Sequence, residues 1–214
     1  MKALTSILVA VVLMINLVWV QPASAEAKYT KNPDYIEVTQ ALKQASLIAE
    51  DEKKTQGAIS ETVQQQIDYL QFQQYALKSG INWGQCTNNT GKTIAVYGSS
   101  QKEDIEDQAT LYFLGDGQTT RQKWDCDGFY VPQDLKAINL GLAEQSEPLQ
   151  GPIAVKILDG TQLTIQANPE TGNLEFNSPL AKVVQESQVH WFIPNIYQSI
   201  IDNQLPNTPT VKKA

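Results

Sequence analysis

The chain changes its hydrophobic rhythm once. From Ile36 to Leu77 apolar residues recur every three or four positions; after Gly80 they alternate. The first periodic run places Val38, Ala41, Leu42, Ala45, Ile48 and Ala49 on one stripe, the spacing of an amphipathic helix. It predicts a helix over about 36–53, with Asp34 as its cap. The charged patch Glu50-Asp51-Glu52-Lys53-Lys54 and then Gly57 close it. A second run, Ile59, Val63, Ile67, Leu70, Gln74 and Leu77, predicts a helix over about 58–79. Gln64, Gln65, Gln66, Gln71 and Gln73 fill mainly its other faces. Lys78-Ser79-Gly80-Ile81 is a stop signal: a basic last turn, a glycine for the left-handed cap, then an apolar residue. The stripes are expected to pack on each other or on the segment that follows.

Beyond Gly80 short strands are expected at 93–97, 110–114, 129–131 and 137–143. Two alternating runs, 153–158 and 161–166, are joined by Asp159-Gly160, the strongest short-range signal for a hairpin. A further strand is expected at Leu174-Glu175-Phe176, after the turn Asn168-Pro169-Glu170-Thr171-Gly172-Asn173. The stretch 180–188 reads as helical, and so does 195–203, where Ile196, Tyr197, Ile200 and Ile201 share a face. The fold class is therefore α+β: an N-terminal helical pair over 26–80, a small antiparallel β-domain with meander connections over 81–203, and a short C-terminal helix packed on it. Pro206 and Pro209 leave 204–214 without a pattern, and that tail is expected to be disordered.

The N-terminus changes the compartment. Lys2, an apolar run from Ile7 to Val20 and Ala23-Ser24-Ala25 make a secretory signal with cleavage after Ala25. The run is shorter than the roughly 20 residues that span a bilayer, and no later segment is apolar enough to do so. Cys86 and Cys126, the only cysteines, are then expected to pair as a disulfide. The formal charge of −7 argues against nucleic acid and anionic membrane surfaces as partners.

Several segments invite chemistry. Gly91-Lys92-Thr93 lacks the upstream glycine and the following helix of a phosphate loop. Asp125-Cys126-Asp127-Gly128 suggests calcium, with Asp116 and the acids of 103–107 as further oxygens, but Tyr130 stands where a calcium loop needs glycine. Asn88-Asn89-Thr90 has the form of a glycosylation sequon, and with Gly91 it also reads as a turn. One histidine and two cysteines leave a zinc site short of ligands. No metal or cofactor is expected.

Asp125-Cys126-Asp127-Gly128-Phe129 resembles the Asp-Cys-Ser-Gly-Phe motif of cell-wall cysteine peptidases. That resemblance implies Cys126 as nucleophile and His190 as its base, although Asp127 replaces the serine and Pro132 falls where the family's helix runs. Trp83 and Trp124, brought together by a Cys86–Cys126 bridge, would form with Asp125, Asp127 and Tyr130 a platform for a sugar or peptide. Those aromatics suit better the core of a small β-domain. Cys86-Thr87-Asn88-Asn89-Thr90-Gly91 followed by Trp124-Asp125-Cys126-Asp127-Gly128 resembles segments of exported cyanobacterial proteins of unassigned function. It implies an exported bacterial location and no activity. The expected function is thus a non-enzymatic binding or assembly module of the envelope or a lumen, with an unknown protein or saccharide ligand. A cysteine-dependent cell-wall hydrolase and a calcium-dependent module are the alternatives.

Overall fold

The computed structural model describes residues 29–100, 109–141, 147–184 and 191–211. The predicted signal segment, the acids of 103–107 and His190 lie outside them. The chain divides into two compact units between Gly80 and Ile81.

The first unit is a helical hairpin. Helix α1 (Pro33–Gln56) starts where the Asn32 side chain accepts from Tyr35 N at 3.0 Å, and Pro33 occupies the first turn, where its missing N–H goes unnoticed. The cap is thus Asn32 rather than Asp34, which lies one residue inside the helix. Gly57 ends α1 at φ 77°, a left-handed conformation that glycine adopts without strain. Helix α2 (Glu61–Leu77) starts at Ser60, whose hydroxyl accepts from Val63 N. The same Ser60 donates its N–H and its hydroxyl to the Glu52 carboxylate, at 2.8 and 3.1 Å, so α1 fixes where α2 begins. The helices pack on each other; Val38, Ala45 and Ala49 of α1 are buried, as are Ile67, Leu70 and Leu77 of α2. Gln74 donates to Thr39 between the two helices at 2.9 Å.

The second unit is built from β1 (Gln85–Asn89), β2 (Ile94–Ser100), β3 (Thr110–Leu114), β4 (Trp124–Val131), β5 (Lys136–Asn139), β6 (Leu149–Gln150), β7 (Ile153–Lys156), β8 (Gln162–Ala167), β9 (Leu174–Phe176), β10 (Lys182–Val184) and α3 (Gln198–Asp202). Among the described residues these strands form two five-stranded sheets, ordered β1-β8-β9-β5-β6 and β10-β7-β4-β2-β3. The second is antiparallel throughout. The first contains two parallel pairs, β1 with β8 and β5 with β9. The α+β class, helical pair, antiparallel-rich stapled unit and short C-terminal helix are all present, but the connections are not those of a plain meander.

Alternation along the strands explains the packing. Ile94 and Val96 of β2, Phe129 and Val131 of β4, and Val155 of β7 point to one face of the second sheet. There they join Leu163 and Ile165 of β8 and Leu174 and Phe176 of β9, so the two sheets share one core. The opposite face offers Ala95, Tyr97, Tyr130 and Ala154, covered by Trp191 and Ile201 from the C-terminal segment. The second sheet is therefore buried on both sides. This is why Ile94-Ala95-Val96-Tyr97 in β2 and Phe129-Tyr130-Val131 in β4 are apolar at consecutive positions.

Three expectations are corrected. The 153–158 and 161–166 runs do not form a hairpin: β7 lies between β4 and β10, and β8 lies between β1 and β9. Both edges of each strand are already taken, and the Asp159-Gly160 turn carries the chain from one sheet to the other. The stretch expected to be helical from 180 holds strand β10; residues 185–188 lie outside the described ones. The tail is hydrogen-bonded rather than disordered as far as it is described. Thr210 bridges Thr120, and Val211 N donates to Thr119 O at 3.0 Å.

Candidate functional site

The site begins with the bridge. Cys86 in β1 and Cys126 in β4 are disulfide-bonded, with Cα atoms 6.0 Å apart, inside the usual range for a bridge. It ties an edge strand of one sheet to the central strand of the other. Both residues are fully buried, at 0% and 1% exposure.

Local sequence sets this approach. Gly84 N donates to the Asp125 carboxylate at 2.7 Å, and Cys126 N donates to Gly84 O at 3.1 Å. A side chain at position 84 would strike the Cys126 carbonyl, so glycine alone lets the two backbones lie this close. The other side of β1 is held by Thr120. Its hydroxyl accepts from Cys86 N at 3.0 Å, and its N–H donates to Cys86 O at 2.9 Å. In β4 the register to β2 shifts near Asp127, a bulge that places Gly98 opposite Cys126. The turn-like Asp-Cys-Asp-Gly composition therefore lies within a strand.

The predicted platform separates into two parts. Trp124 is 3% exposed, lies over Gly98 and meets the Tyr112 ring edge-to-face at 5.1 Å. Tyr130 is 1% exposed and donates its hydroxyl to Pro194 O at 2.5 Å. Both are core, so neither presents a ring to a ligand, and Trp124 takes Tyr112 as its ring partner. Trp83, Asp125 and Asp127 are half-buried, and the hydrogen bonds of Gly84 to Asp125 and Cys126 bring the backbone after Trp83 against β4, at one corner of the unit. Trp83 O accepts from Gly160 N at 3.0 Å, and Asp127 O accepts from Ile157 N at 2.8 Å. This corner lies where the chain crosses between sheets, and exposed Asn82 and half-buried Asp159 flank it in sequence. Sequence reasoning missed the Gly160 contact with Trp83, because the hairpin reading sent that turn elsewhere.

The chemistry of this corner is limited. Cys126 is bonded to Cys86, so it has no thiolate with which to attack. Asp125 commits an oxygen to Gly84 N. Among the described residues no three His, Cys, Asp or Glu side chains converge as a metal would need. The sequon also closes. Asn88 is 0% exposed, and its amide donates to Lys92 O at 2.7 Å and Leu114 O at 2.8 Å. Its Oδ1 accepts from Thr90 N and Thr90 Oγ1. The side chain is a buried tie between two turns and is closed to a glycan in the folded chain. Burial pushes the Tyr130 phenol above its ordinary value of 10.0; the bond from the Ile196 backbone opposes this, and the Asp134 charge adds to it. Among the described residues no helix is long and apolar enough to cross a membrane.

No protein-family model, curated protein or solved structure matches this chain.

Proposed function

We propose that the protein is an exported, non-enzymatic binding or assembly module, acting in an extracytoplasmic compartment, with the Trp83 corner of its β-unit as the ligand face. The observation that carries this reading is the buried Cys86–Cys126 bridge, because such bridges form in oxidising compartments. The secretory pattern at the N-terminus agrees with it. The bridge also removes the nucleophile of the peptidase alternative. Trp83 supplies a half-buried indole, one residue before the Gly84 that donates to the Asp125 carboxylate, and an indole near a carboxylate suits a saccharide or a short polar peptide segment.

Two measurements test it. N-terminal sequencing of natively expressed protein should return Glu26 in an extracytoplasmic fraction; full-length chain retained in the cytosol would sink the export reading. A glycan and peptide array probed with the mature protein should give a ligand that Trp83→Ala loses at least ten-fold. An array hit that survives Trp83→Ala moves the ligand face elsewhere.

A further inference from the structure

The bridge joins two sheets that no consecutive strand pair hydrogen-bonds together, and nothing about its surroundings leaves room for a second thiol. Exchange requires a thiolate to reach a sulfur directly. Cys86 and Cys126 are 0% and 1% exposed and lie in one core cluster with Trp124, Ile157 and Leu163. On the backbone side the approach is shut by Gly84, which packs on the Cys126 carbonyl, and by Thr120, which brackets Cys86 with two hydrogen bonds. The Asp125 carboxylate holds Gly84 in place.

The sequence span matters equally. The two cysteines are 40 residues apart, and the enclosed segment contains β2 and β3 complete. Closing a loop of that size before folding removes enough chain entropy to shift the folding equilibrium by about a hundred- to a thousand-fold.

We propose that the Cys86–Cys126 bridge is a one-way redox latch. Formation converts two thiols to a disulfide with release of two protons and two electrons, which a thiol–disulfide oxidase or a small-molecule disulfide accepts. It takes place while the chain is open. Once the sheets have closed on it, the bridge is sealed, and reductant removes it only by way of unfolding. The folded β-unit thus keeps its oxidised state when it meets a reducing environment in which it would not have formed.

The experiment uses the full mature chain. Native protein is held in dithiothreitol, and samples are alkylated and weighed over time while the unfolding rate is measured separately by fluorescence at the same denaturant concentrations. Reduction is expected to follow the unfolding rate and to rise with denaturant along the same slope. Fast reduction without denaturant, or a slope far below that of unfolding, would show that a local opening exposes the sulfurs and would overturn the latch. The double variant Cys86→Ala/Cys126→Ala tests the other half. It should fold at least a hundred-fold less favourably than the oxidised chain, or not at all; stability equal to the oxidised protein also overturns the proposal.

Discussion

Individual residues show how a candidate binding position becomes a structural one. Trp124 reads as a ligand platform in sequence because it neighbours a cysteine and two aspartates. In the fold its indole fills the space left by Gly98 and is 3% exposed. Trp124→Ala is expected to cost about 3–5 kcal/mol, the range for emptying a large aromatic from a core, measured by urea unfolding. Asn88 is the polar counterpart. Its amide serves two carbonyls at once, of which the bond to Leu114 O is buried, so Asn88→Ala removes a buried donor and is expected to cost about 1–3 kcal/mol. Loss below about 0.5 kcal/mol would mean that water replaces the amide. Tyr130 carries the pH dependence. Its phenol is raised above 10.0 in the folded chain, so its contribution is complete below pH 10 and is lost as pH rises through the folded value, because the unfolded chain ionises first. Wild type is expected to exceed Tyr130→Phe by about 1 kcal/mol at pH 8. That gap narrows above pH 10 in paired denaturant melts; a constant gap would remove Tyr130 from the alkaline response.

Elements differ in how far sequence reaches them. Helices α1 and α2 were legible because their signals are local: periodic stripes, polar caps, and glycines at φ 77° and 81° just past their ends. Even there the cap was misplaced by two residues, since Asn32 and Asp34 carry similar chemistry on either side of a proline. Strands were legible as segments and illegible as partners. Alternation shows that β7 and β8 are strands, but pairing depends on which edges other strands have already filled. Asp159-Gly160 makes its turn, and the chain after it enters the other sheet. The bulge in β4 hid half of that strand behind turn-forming residues. The corner site was half legible for the same reason, since the chain at Gly84 is held against Asp125 and Cys126 of β4 by hydrogen bonds that no local pattern encodes. The C-terminal segment behaves as a strap over the outer face of the second sheet. Trp191 stacks on Tyr97 at 4.5 Å, and Tyr97 donates its hydroxyl to Phe192 O at 2.9 Å. Trp191→Ala is expected to raise amide exchange across 192–201 by at least ten-fold and to leave the exchange of β8 and β9 nearly unchanged. Uniform acceleration across the unit would mean that the strap and the sheets open as one.

On the scale of the whole chain, the two compact units are built on different physics. The hairpin unit rests on few buried side chains and on caps, and keeps Leu47, Ile48, Phe72 and Tyr75 at least half exposed. The β-unit has a two-sided central sheet, a covalent tie and a hydrogen-bonded tail. Between them, Lys78, Ser79, Gly80, Ile81 and Asn82 are all exposed, and Gly80 takes a left-handed conformation after the last helical turn. Exposed joints of this kind are where proteases cut first, because a protease must draw an extended segment into its own cleft. Limited trypsin digestion is therefore expected to cleave after Lys78 before it cuts at Lys53 or Lys54, whose backbones are held in helix α1. The C-terminal fragment beginning at Ser79 should then persist, since the lysines and the arginine of the described β-unit lie in or between strands tied by the bridge and the tail. Mass spectrometry of a time course distinguishes the outcomes. Early products ending at Lys53 or Lys54 would show that α1 opens more readily than the joint. Rapid loss of the Ser79 fragment would show that the β-unit depends on the hairpin for its stability.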